Sequence, residues 1–315
     1  MIFMRTAFFG IAMAVLFGWT ASVSATDGVV VSIKPIHSLV ASITKGVSEP
    51  FLILRRQSSP HTYRVRPSEA KKLRNAKVIF WIGEELENFL VKPLEVLGHR
   101  AKIVTLSDSD QLTRHEFRKA NQFKSKKDAA HKHNHGHHHG KIDQHFWLDP
   151  ANAIAFSQKI EITLKAIDPV NSQTFRKNAK QLRARLNKLQ RKTATKLKPL
   201  RHGRFFVFHD AYQYFEKRFG LSAVGAVIFH PDIPLSVKRI SEIQNSIKQA
   251  GSVCVFSEPQ FNPKSVKLVT RGTSARLAIL DPIGATLSPG PDLYFQLIDN
   301  IAKSFEACLA SALRH

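Results

Sequence analysis

Four side chains that could bind a metal ion stand where strands are predicted to end or helices to begin. Two come from each half of the chain: His61, His145, His209 and Asp281. Three imidazoles and one carboxylate would form a nearly closed tetrahedral site of the kind that zinc prefers, with zinc–nitrogen distances of about 2.0–2.1 Å. Taken singly, a histidine after a strand is more often a hydrogen-bonded loop residue, and an Asp before a Pro is usually a turn or cap. Their joint placement favours a metal site, while spacing alone leaves both interpretations open.

The chain has 15 histidines, and a second group of them forms a compact tract. Six histidines alternate with Lys, Asn and Gly or follow one another directly: His131, His133, His135, His137, His138 and His139. Because the tract has no apolar period, we expect a solvated loop. Its composition also fits labile, low-specificity binding of zinc, copper or nickel. We expect structural roles for the histidines that lack either setting, namely His37, His99, His115, His202 and His230.

The elements that must position these side chains alternate between short β-branched runs and amphipathic segments. We expect a first lobe over residues 26–167, in which a loop without any pattern, 108–144, carries the histidine tract. A long linker helix should follow over 168–198, and a second lobe over 199–315. Strand–helix alternation predicts parallel sheets flanked by helices, so the fold class is α/β. A ligand should then lie in the cleft between the lobes, where the carboxyl ends of the strands face each other.

Helix-start signals place several of these elements along the chain. Asp149-Pro150 combines an N-cap residue with Pro at the first helical position and predicts a helix to about Ala166. Asp168-Pro169 repeats the signal and opens the long helix, which should restrict the lobes to small relative motions. In the first lobe, apolar spacing predicts another helix over Glu84–Leu97.

Residues 1–25 have the organisation of a secretory signal peptide. Arg5 supplies the positive start, Ala7–Trp19 is apolar, and Val23-Ser24-Ala25 gives the small-x-small pattern ahead of a cleavage site. The alternative is an uncleaved anchor, although the run is short for a bilayer span of about 20 residues. We therefore expect an exported protein that works in the periplasm.

The net charge of +23, from 47 Lys and Arg against 24 Asp and Glu, raises the question of a nucleic-acid partner. We expect none, because an exported protein meets little DNA or RNA and the chain has no zinc-finger or aromatic–basic RNA motif. The densest basic run, Arg176–Lys198, lies on the predicted long helix and is expected to be a solvated face. Weak attraction to anionic membranes would be one consequence. We expect the protein to be a monomer.

The two cysteines, Cys254 and Cys308, both lie in the last quarter of the chain. In an oxidising compartment a lone pair favours a disulfide over a metal site or a catalytic thiol. Two buried free thiols are the alternative.

Five sequence blocks, taken in order, carry a resemblance to a known family. They are Ser59-Pro60-His61 with Tyr63 and Arg66-Pro67-Ser68, then His145 with Trp147-Leu148-Asp149-Pro150, Phe208-His209-Asp210-Ala211-Tyr212, Cys254-Val255-Phe256 with Glu258-Pro259-Gln260-Phe261, and Arg271-Gly272-Thr273-Ser274 running to Leu280-Asp281-Pro282. Across the whole mature chain they resemble the zinc-binding solute receptors of bacterial ABC importers. The resemblance is to the ZnuA type, within the cluster that binds zinc and manganese.

The resemblance implies two lobes, a long connecting helix and zinc as the transported ligand, bound in the cleft by His61, His145 and His209. The fourth ligand varies in the family and can be an Asp, a water or a Glu from the loop of the first histidine. In this chain that loop has Ser59 and Pro60 instead of a Glu, so the resemblance implies Asp281 or a water as the fourth ligand. It also implies a disulfide between the cysteines, and an ABC permease with its cytoplasmic ATPase as partner.

Two alternatives remain beside this interpretation. One is a manganese or iron receptor of the same fold, although manganese receptors of the cluster carry a carboxylate where this chain has His209, and three imidazoles favour zinc. The other is a zinc hydrolase, which would need a general base and a substrate pocket. Because no His-Glu-x-x-His, Gly-x-Ser-x-Gly or P-loop motif occurs, we expect a protein that is not an enzyme.

Overall fold

Two parallel sheets, each of four strands, form the framework of the molecule. The computed structural model describes residues 28–55, 57–118, 141–229, 231, 235–251 and 253–312. The expected signal peptide (1–25), the histidine tract (131–139) and His230 lie outside the described residues. Within the described residues, no helix combines the length and the apolar content needed to cross a bilayer.

The first half of the chain builds the first sheet. Its elements are β1 (Val29–Val31), α1 (Lys34–Ile43), β2 (Phe51–Leu52), α2 (Pro67–Arg74), β3 (Val78–Trp81), α3 (Asn88–Leu97), β4 (Lys102–Thr105) and α4 (Pro150–Ile167). The strands lie in the order β2-β1-β3-β4 and all pair in parallel. Both faces of β1 and β3 are buried, as the continuous apolar runs of parallel strands require.

The second half repeats this arrangement after a long helix, α5 (Ser172–Leu197). Its elements are β5 (Phe205–His209), α6 (Gln213–Phe219), β6 (Gly225–Ile228), α7 (Val237–Ala250), β7 (Cys254–Ser257), α8 (Lys264–Thr270), β8 (Arg276–Ile279) and α9 (Leu293–Ala312). The order β6-β5-β7-β8 is that of the first sheet. In each sheet the chain changes direction beside the first strand, which places a ligand-binding crevice at the carboxyl ends of β1 and β5.

Helix α5 connects the two halves. Its 26 residues correspond to about 39 Å of helix, and it packs against α1 and α4 of the first half and α9 of the second. One hydrophobic core continues from the first sheet through α5 to the second. The predicted α/β fold with two lobes and a long helix is therefore confirmed, while the exact lobe boundaries (26–167, 168–198 and 199–315) stay a proposal.

Helix α5 begins three residues later than the sequence predicts. Asp168 accepts a hydrogen bond from the backbone N–H of Asn171 at 3.2 Å, and this closes a short 3₁₀ turn over Pro169–Asn171 before the α-helix starts at Ser172. Asp168 therefore caps the 3₁₀ turn and does not cap α5.

The predicted start of α3 at Glu84 is wrong. The helix begins at Asn88, because the buried Glu87 carboxylate accepts hydrogen bonds from the backbone N–H groups of Ile82 and Gly83, at 2.8 and 2.9 Å. Ser32 donates a further hydrogen bond to it from the end of β1. These bonds hold the segment after β3 as a turn. Burial raises the pKa of Glu87 to about 7 despite these donors.

The predicted disulfide between Cys254 and Cys308 is confirmed, and it joins β7 to α9. It closes a loop with a sequence separation of 54 residues, which lowers the entropy of the unfolded chain. The chain-entropy model gives a stabilisation of about 4 kcal/mol for such a loop.

We predict that the double variant Cys254→Ala, Cys308→Ala loses about 2–5 kcal/mol of unfolding free energy, measured by urea denaturation of the oxidised protein. Reducing agent should destabilise the wild-type protein and leave the double variant unchanged. Equal stability of the oxidised wild type and the variant would contradict the prediction.

Candidate metal centre

Three histidines from separate parts of the chain converge at the crevice between the sheets. His61 lies on the loop after β2, His145 precedes a 3₁₀ turn over Phe146–Leu148, and His209 is the last residue of β5. Each offers one ring nitrogen, and these three nitrogens lie within 4.8 Å of one another. His145 and His209 are buried, whereas His61 is half-buried. The rings of His61 and His145 are 5.6 Å apart between centroids, and those of His61 and His209 5.9 Å.

The Nε2 atoms of His145 and His209 are 3.3 Å apart. A tetrahedral zinc ion with bonds of about 2.0–2.1 Å separates its nitrogen ligands by about 3.3–3.4 Å. These two imidazoles are therefore already spaced as two corners of such a site.

Buried carboxylates fix the orientation of both rings. Asp143 accepts a hydrogen bond from Nδ1 of His145, and Glu258 accepts one from Nδ1 of His209, both at 2.7 Å. Both carboxylates are fully buried. Since Nδ1 carries the proton, the neutral rings present the lone pairs of their Nε2 atoms to each other. Carboxylate–histidine pairs of this kind orient metal ligands and raise their basicity.

The environment of His209 favours its protonated form. Burial alone would lower the pKa of the ring, but the adjacent Glu258 carboxylate, together with Asp210 and Asp143, outweighs burial and raises the pKa above its usual range. Without a metal, the folded state therefore gains stability from the charged ring below about pH 6.5 and loses it as the pH rises through the raised pKa. A dication between the rings would replace that proton.

The cavity bounded by the three rings is small. Its volume is about 10 Å³, room for a single ion or water molecule. Besides the histidines it is lined by Ser59, Pro60, Trp147, Glu258, Gln260, Phe261, Pro282 and Ile283. A cavity of this size suits one ion.

Side chains of α6 hold the loop that carries His145, although the loop belongs to the first half of the chain. The hydroxyl of Tyr214 donates to the backbone carbonyl of Asp143 at 2.8 Å, and Gln213 donates to the Asp143 carboxylate at 3.3 Å. Arg218 binds both oxygens of Asp149 at 2.7 Å. The position of His145 is therefore set by the second half of the molecule.

Further contacts close the seam between the halves. Trp147 donates from its indole nitrogen to the carbonyl of Pro282, and the hydroxyl of Tyr294 donates to the carbonyl of Trp147, both at 2.7 Å. Arg118 forms ion pairs with Asp210 and Glu216. The buried ammonium of Lys34, at the start of α1, donates to three backbone carbonyls of the second half, those of Gly284, Ala285 and Leu287.

Comparison with known proteins assigns this arrangement to a family. The model of the family described as zinc-uptake complex component A, periplasmic (ZnuA), matches residues 29–308. The chain belongs to this family. The resemblance found in the sequence blocks is confirmed.

Named relatives and solved structures agree with the assignment. High-affinity zinc uptake system proteins ZnuA are 44% identical in Brucella suis, over 95% of this chain and 97% of the relative, and 33% identical in Yersinia pestis, over 90% and 92%. The periplasmic zinc binding protein TroA from Treponema pallidum shares the fold, with a TM-score of 0.74 at 19% identity over 89% of this chain and 98% of its own. A crystal structure of ZnuA has a TM-score of 0.72 at 21% identity, over 90% of this chain and 98% of its own.

Of the four residues predicted to bind the ion in the cleft, all of them described, Asp281 is the one that lies outside the group. Among the described residues, the cluster of potential ligand atoms contains the three histidines alone. The Oδ1 atom of Asp281 accepts hydrogen bonds from Nε2 of Gln260 at 2.7 Å and from the backbone N–H of Ile283 at 3.2 Å. Asp281 thus behaves as the cap of its turn and as an anchor for Gln260.

Sequence reasoning missed the residues that support the histidines. Glu258 lies in one of the sequence blocks quoted for the resemblance and Asp143 lies just before another, but neither was assigned a role. Asp143 could have been found, because it stands two residues before His145 and can reach both the backbone and the ring of that residue. Glu258 could not, since it lies 49 residues from His209 and only the pairing of β5 with β7 brings them together.

We predict that Glu258→Gln lowers the pKa of His209 in the metal-free protein, because the neutral amide removes the charge that outweighs burial. NMR titration of the ring protons measures this pKa. Asp299→Asn, which removes a carboxylate on α9 that pairs with Lys192 and Lys303, is the control and should leave the pKa of His209 unchanged. An unchanged value in Glu258→Gln would show that the carboxylate does not set it.

Proposed function

We propose that this protein is a periplasmic receptor that captures Zn²⁺ between its two lobes and delivers it to the permease of an ABC importer. The proposed ligands are His61, His145 and His209. The observation that carries the proposal is the 3.3 Å separation of the Nε2 atoms of His145 and His209, with both Nδ1 atoms bonded to buried carboxylates.

This arrangement calls for a cation. Two lone pairs that face each other across 3.3 Å repel unless a proton or a metal ion lies between them. Burial of both rings keeps water from screening that repulsion. A divalent ion coordinated by both rings removes it, and His61 on the third side completes a three-nitrogen set. The site is therefore preorganised, which reduces the entropic cost of binding.

The donor set favours zinc over the alternatives. Imidazole nitrogen suits borderline ions such as zinc, whereas manganese prefers carboxylate, carbonyl and water oxygens. No carboxylate oxygen joins the group among the described residues. Relatives from Brucella suis and Yersinia pestis are named as zinc uptake proteins, which supports zinc for this chain. Copper and nickel also bind imidazole tightly and would compete.

The same site supports a receptor and not a hydrolase. Catalysis by a metal-bound water needs a general base and room for a substrate. Here the two adjacent carboxylates, Asp143 and Glu258, are bonded to the ligand rings and so are not free to act as a general base. We therefore propose that the protein binds its ion without transforming any molecule.

The family description supports the location and the partner. The family is the periplasmic component of a zinc-uptake complex, and residues 1–25 have the pattern of an export signal. The partner we propose is the membrane permease, powered by its cytoplasmic ATPase. The histidine tract, 131–139, would act as a low-affinity accessory site.

Release must open the site without separating the lobes. The hydrogen bonds from Lys34, Trp147 and Arg218 across the seam, together with the packing of α5 on both halves, oppose a large hinge motion. His61 is the partly exposed ligand and lies on a loop, whereas His145 and His209 are buried and braced. We propose that docking on the permease moves the His61 loop and so weakens the site.

We predict that His209→Ala lowers zinc affinity by at least about a hundredfold, because it removes a braced ligand and leaves Glu258 without its partner. Deletion of residues 131–139 should change the affinity of the tight site by less than about threefold. Competition titration against a chromogenic zinc chelator measures both. Equal losses in the two variants would contradict the proposed ligand set.

A further inference from the structure

We infer that the side-chain carbonyl of Gln260 is the fourth ligand of the ion, and that Asp281 holds it in place. This inference rests on the proposed function and extends it to the corner of the site that the three histidines leave open.

The orientation of the Gln260 amide follows from its hydrogen bond. Its Nε2 atom donates to Oδ1 of Asp281 at 2.7 Å, and since a carboxylate can only accept, the amide nitrogen must face Asp281. The carbonyl oxygen, Oε1, therefore points the other way. It is buried and accepts no hydrogen bond from any described residue. Gln260 lines the same cavity as His61, His145 and His209.

A buried carbonyl without a partner costs free energy, so its position calls for a ligand. The other oxygens around the cavity do not fit this role. Glu258 lies on the Nδ1 side of His209, away from the facing Nε2 atoms, and the Ser59 hydroxyl accepts a hydrogen bond from the backbone N–H of His61 at 3.2 Å. Glu258 and Gln260 each have one buried side-chain oxygen without a hydrogen-bond partner. Because the bond to Nδ1 of His209 holds Glu258 on the far side of that ring, we assign the ligand role to Gln260, which lines the same cavity.

The size of the cavity favours direct coordination. With a volume of about 10 Å³, the cavity has room for one ion, which favours direct contact between that ion and a lining side chain over a bridging water. A neutral amide oxygen supplies the fourth corner of the tetrahedron without adding negative charge. The negative charge of Asp281 is separated from the ion by the hydrogen bond to Gln260, and through that bond it increases the electron density on the amide oxygen.

The test compares zinc affinity and the absorption spectrum of bound Co²⁺, which reports coordination number and ligand type, in four variants. Gln260→Leu and Asp281→Leu should each lower zinc affinity by about 10–100-fold and alter the Co²⁺ bands, and the double variant should be no worse than Gln260→Leu alone. Asp281→Asn is the conservative variant: its amide oxygen can still accept from Gln260, so it should recover most of the affinity that Asp281→Leu loses.

Two results would overturn the inference. Wild-type affinity and spectrum in Gln260→Leu would exclude the carbonyl as a ligand, and a large loss in Asp281→Asn would make Asp281 the ligand. In either case tight zinc binding that is lost in His209→Ala would leave the proposed function standing. Circular dichroism melting confirms folding, and Gln260→Ala replaces Gln260→Leu should the latter not fold.

The outer surface of α5 is strongly basic. The helix has nine Lys and Arg residues and no Asp or Glu. Four of the nine pair with acidic residues on its two flanks, which lie in α4, in α9 or directly before α9: Arg183 with Glu161, Arg185 with Asp292, Lys192 with Asp299 and Lys196 with Glu306. The other five are exposed and have no acidic partner within 4 Å among the described residues: Arg176, Lys177, Lys180, Lys188 and Arg191. At 3.6 residues per turn these five lie within an arc of about 120°.

We propose that this basic stripe binds anionic phospholipid headgroups. It extends about 23 Å along a continuous helix, and an extended row of point charges complements a planar anionic surface better than a compact acidic peptide. Clusters of four to eight basic residues on an amphipathic helix are typical of such binding. A nucleic-acid partner fits less well, since the family is periplasmic.

The test is sedimentation of the exported protein with vesicles. Binding is expected to vesicles that contain phosphatidylglycerol, not to pure phosphatidylcholine, and should be lost at high salt. The triple variant Lys180→Gln, Lys188→Gln, Arg191→Gln should weaken binding at least about tenfold. A control with the same change in charge, Lys71→Gln, Arg74→Gln, Lys102→Gln, alters exposed residues of the first lobe and should bind like wild type. Equal losses in both triple variants, or no binding to anionic vesicles, would overturn the proposal.

Discussion

The interaction on which the site depends is the pair of hydrogen bonds from two histidine Nδ1 atoms to buried carboxylates. Asp143 and Glu258 fix the tautomer and the direction of the rings they contact, so that the Nε2 lone pairs of His145 and His209 meet at 3.3 Å. In a buried setting that geometry is stable only with positive charge between the rings. The buried site therefore favours a bound cation electrostatically even before an ion binds.

The fold places the two halves of this site on different rigid parts of the molecule. His209 is the last residue of β5 and Glu258 directly follows β7, and the pairing of these neighbouring strands sets the separation of the two side chains. His145 and Asp143 come from a loop of the first half that α6 of the second half braces through Tyr214. Because α5 and the continuous core tie the halves together, the distance between the two Nε2 atoms is set by packing and not by a hinge.

Much of this could be predicted from the sequence. Apolar runs and Asp-Pro signals identified both sheets and α5, since parallel strands and helix caps depend on local residue types. The end of the strand Phe205–His209 similarly marked His209 as a crevice residue. The role of Asp281 was less predictable, because a carboxylate before Pro has the same sequence signal whether it binds a metal or caps a turn. Glu258 depended on strand pairing across 49 residues, which no local pattern reveals.

The most direct measurement of the central claim is an anomalous-difference map from crystals of the protein loaded with one equivalent of zinc. We expect one peak between the two lobes, at about 2.0–2.1 Å from a ring nitrogen of each of the three histidines. A peak elsewhere, with the Nε2 atoms of His145 and His209 still facing each other without a metal between them, would contradict it.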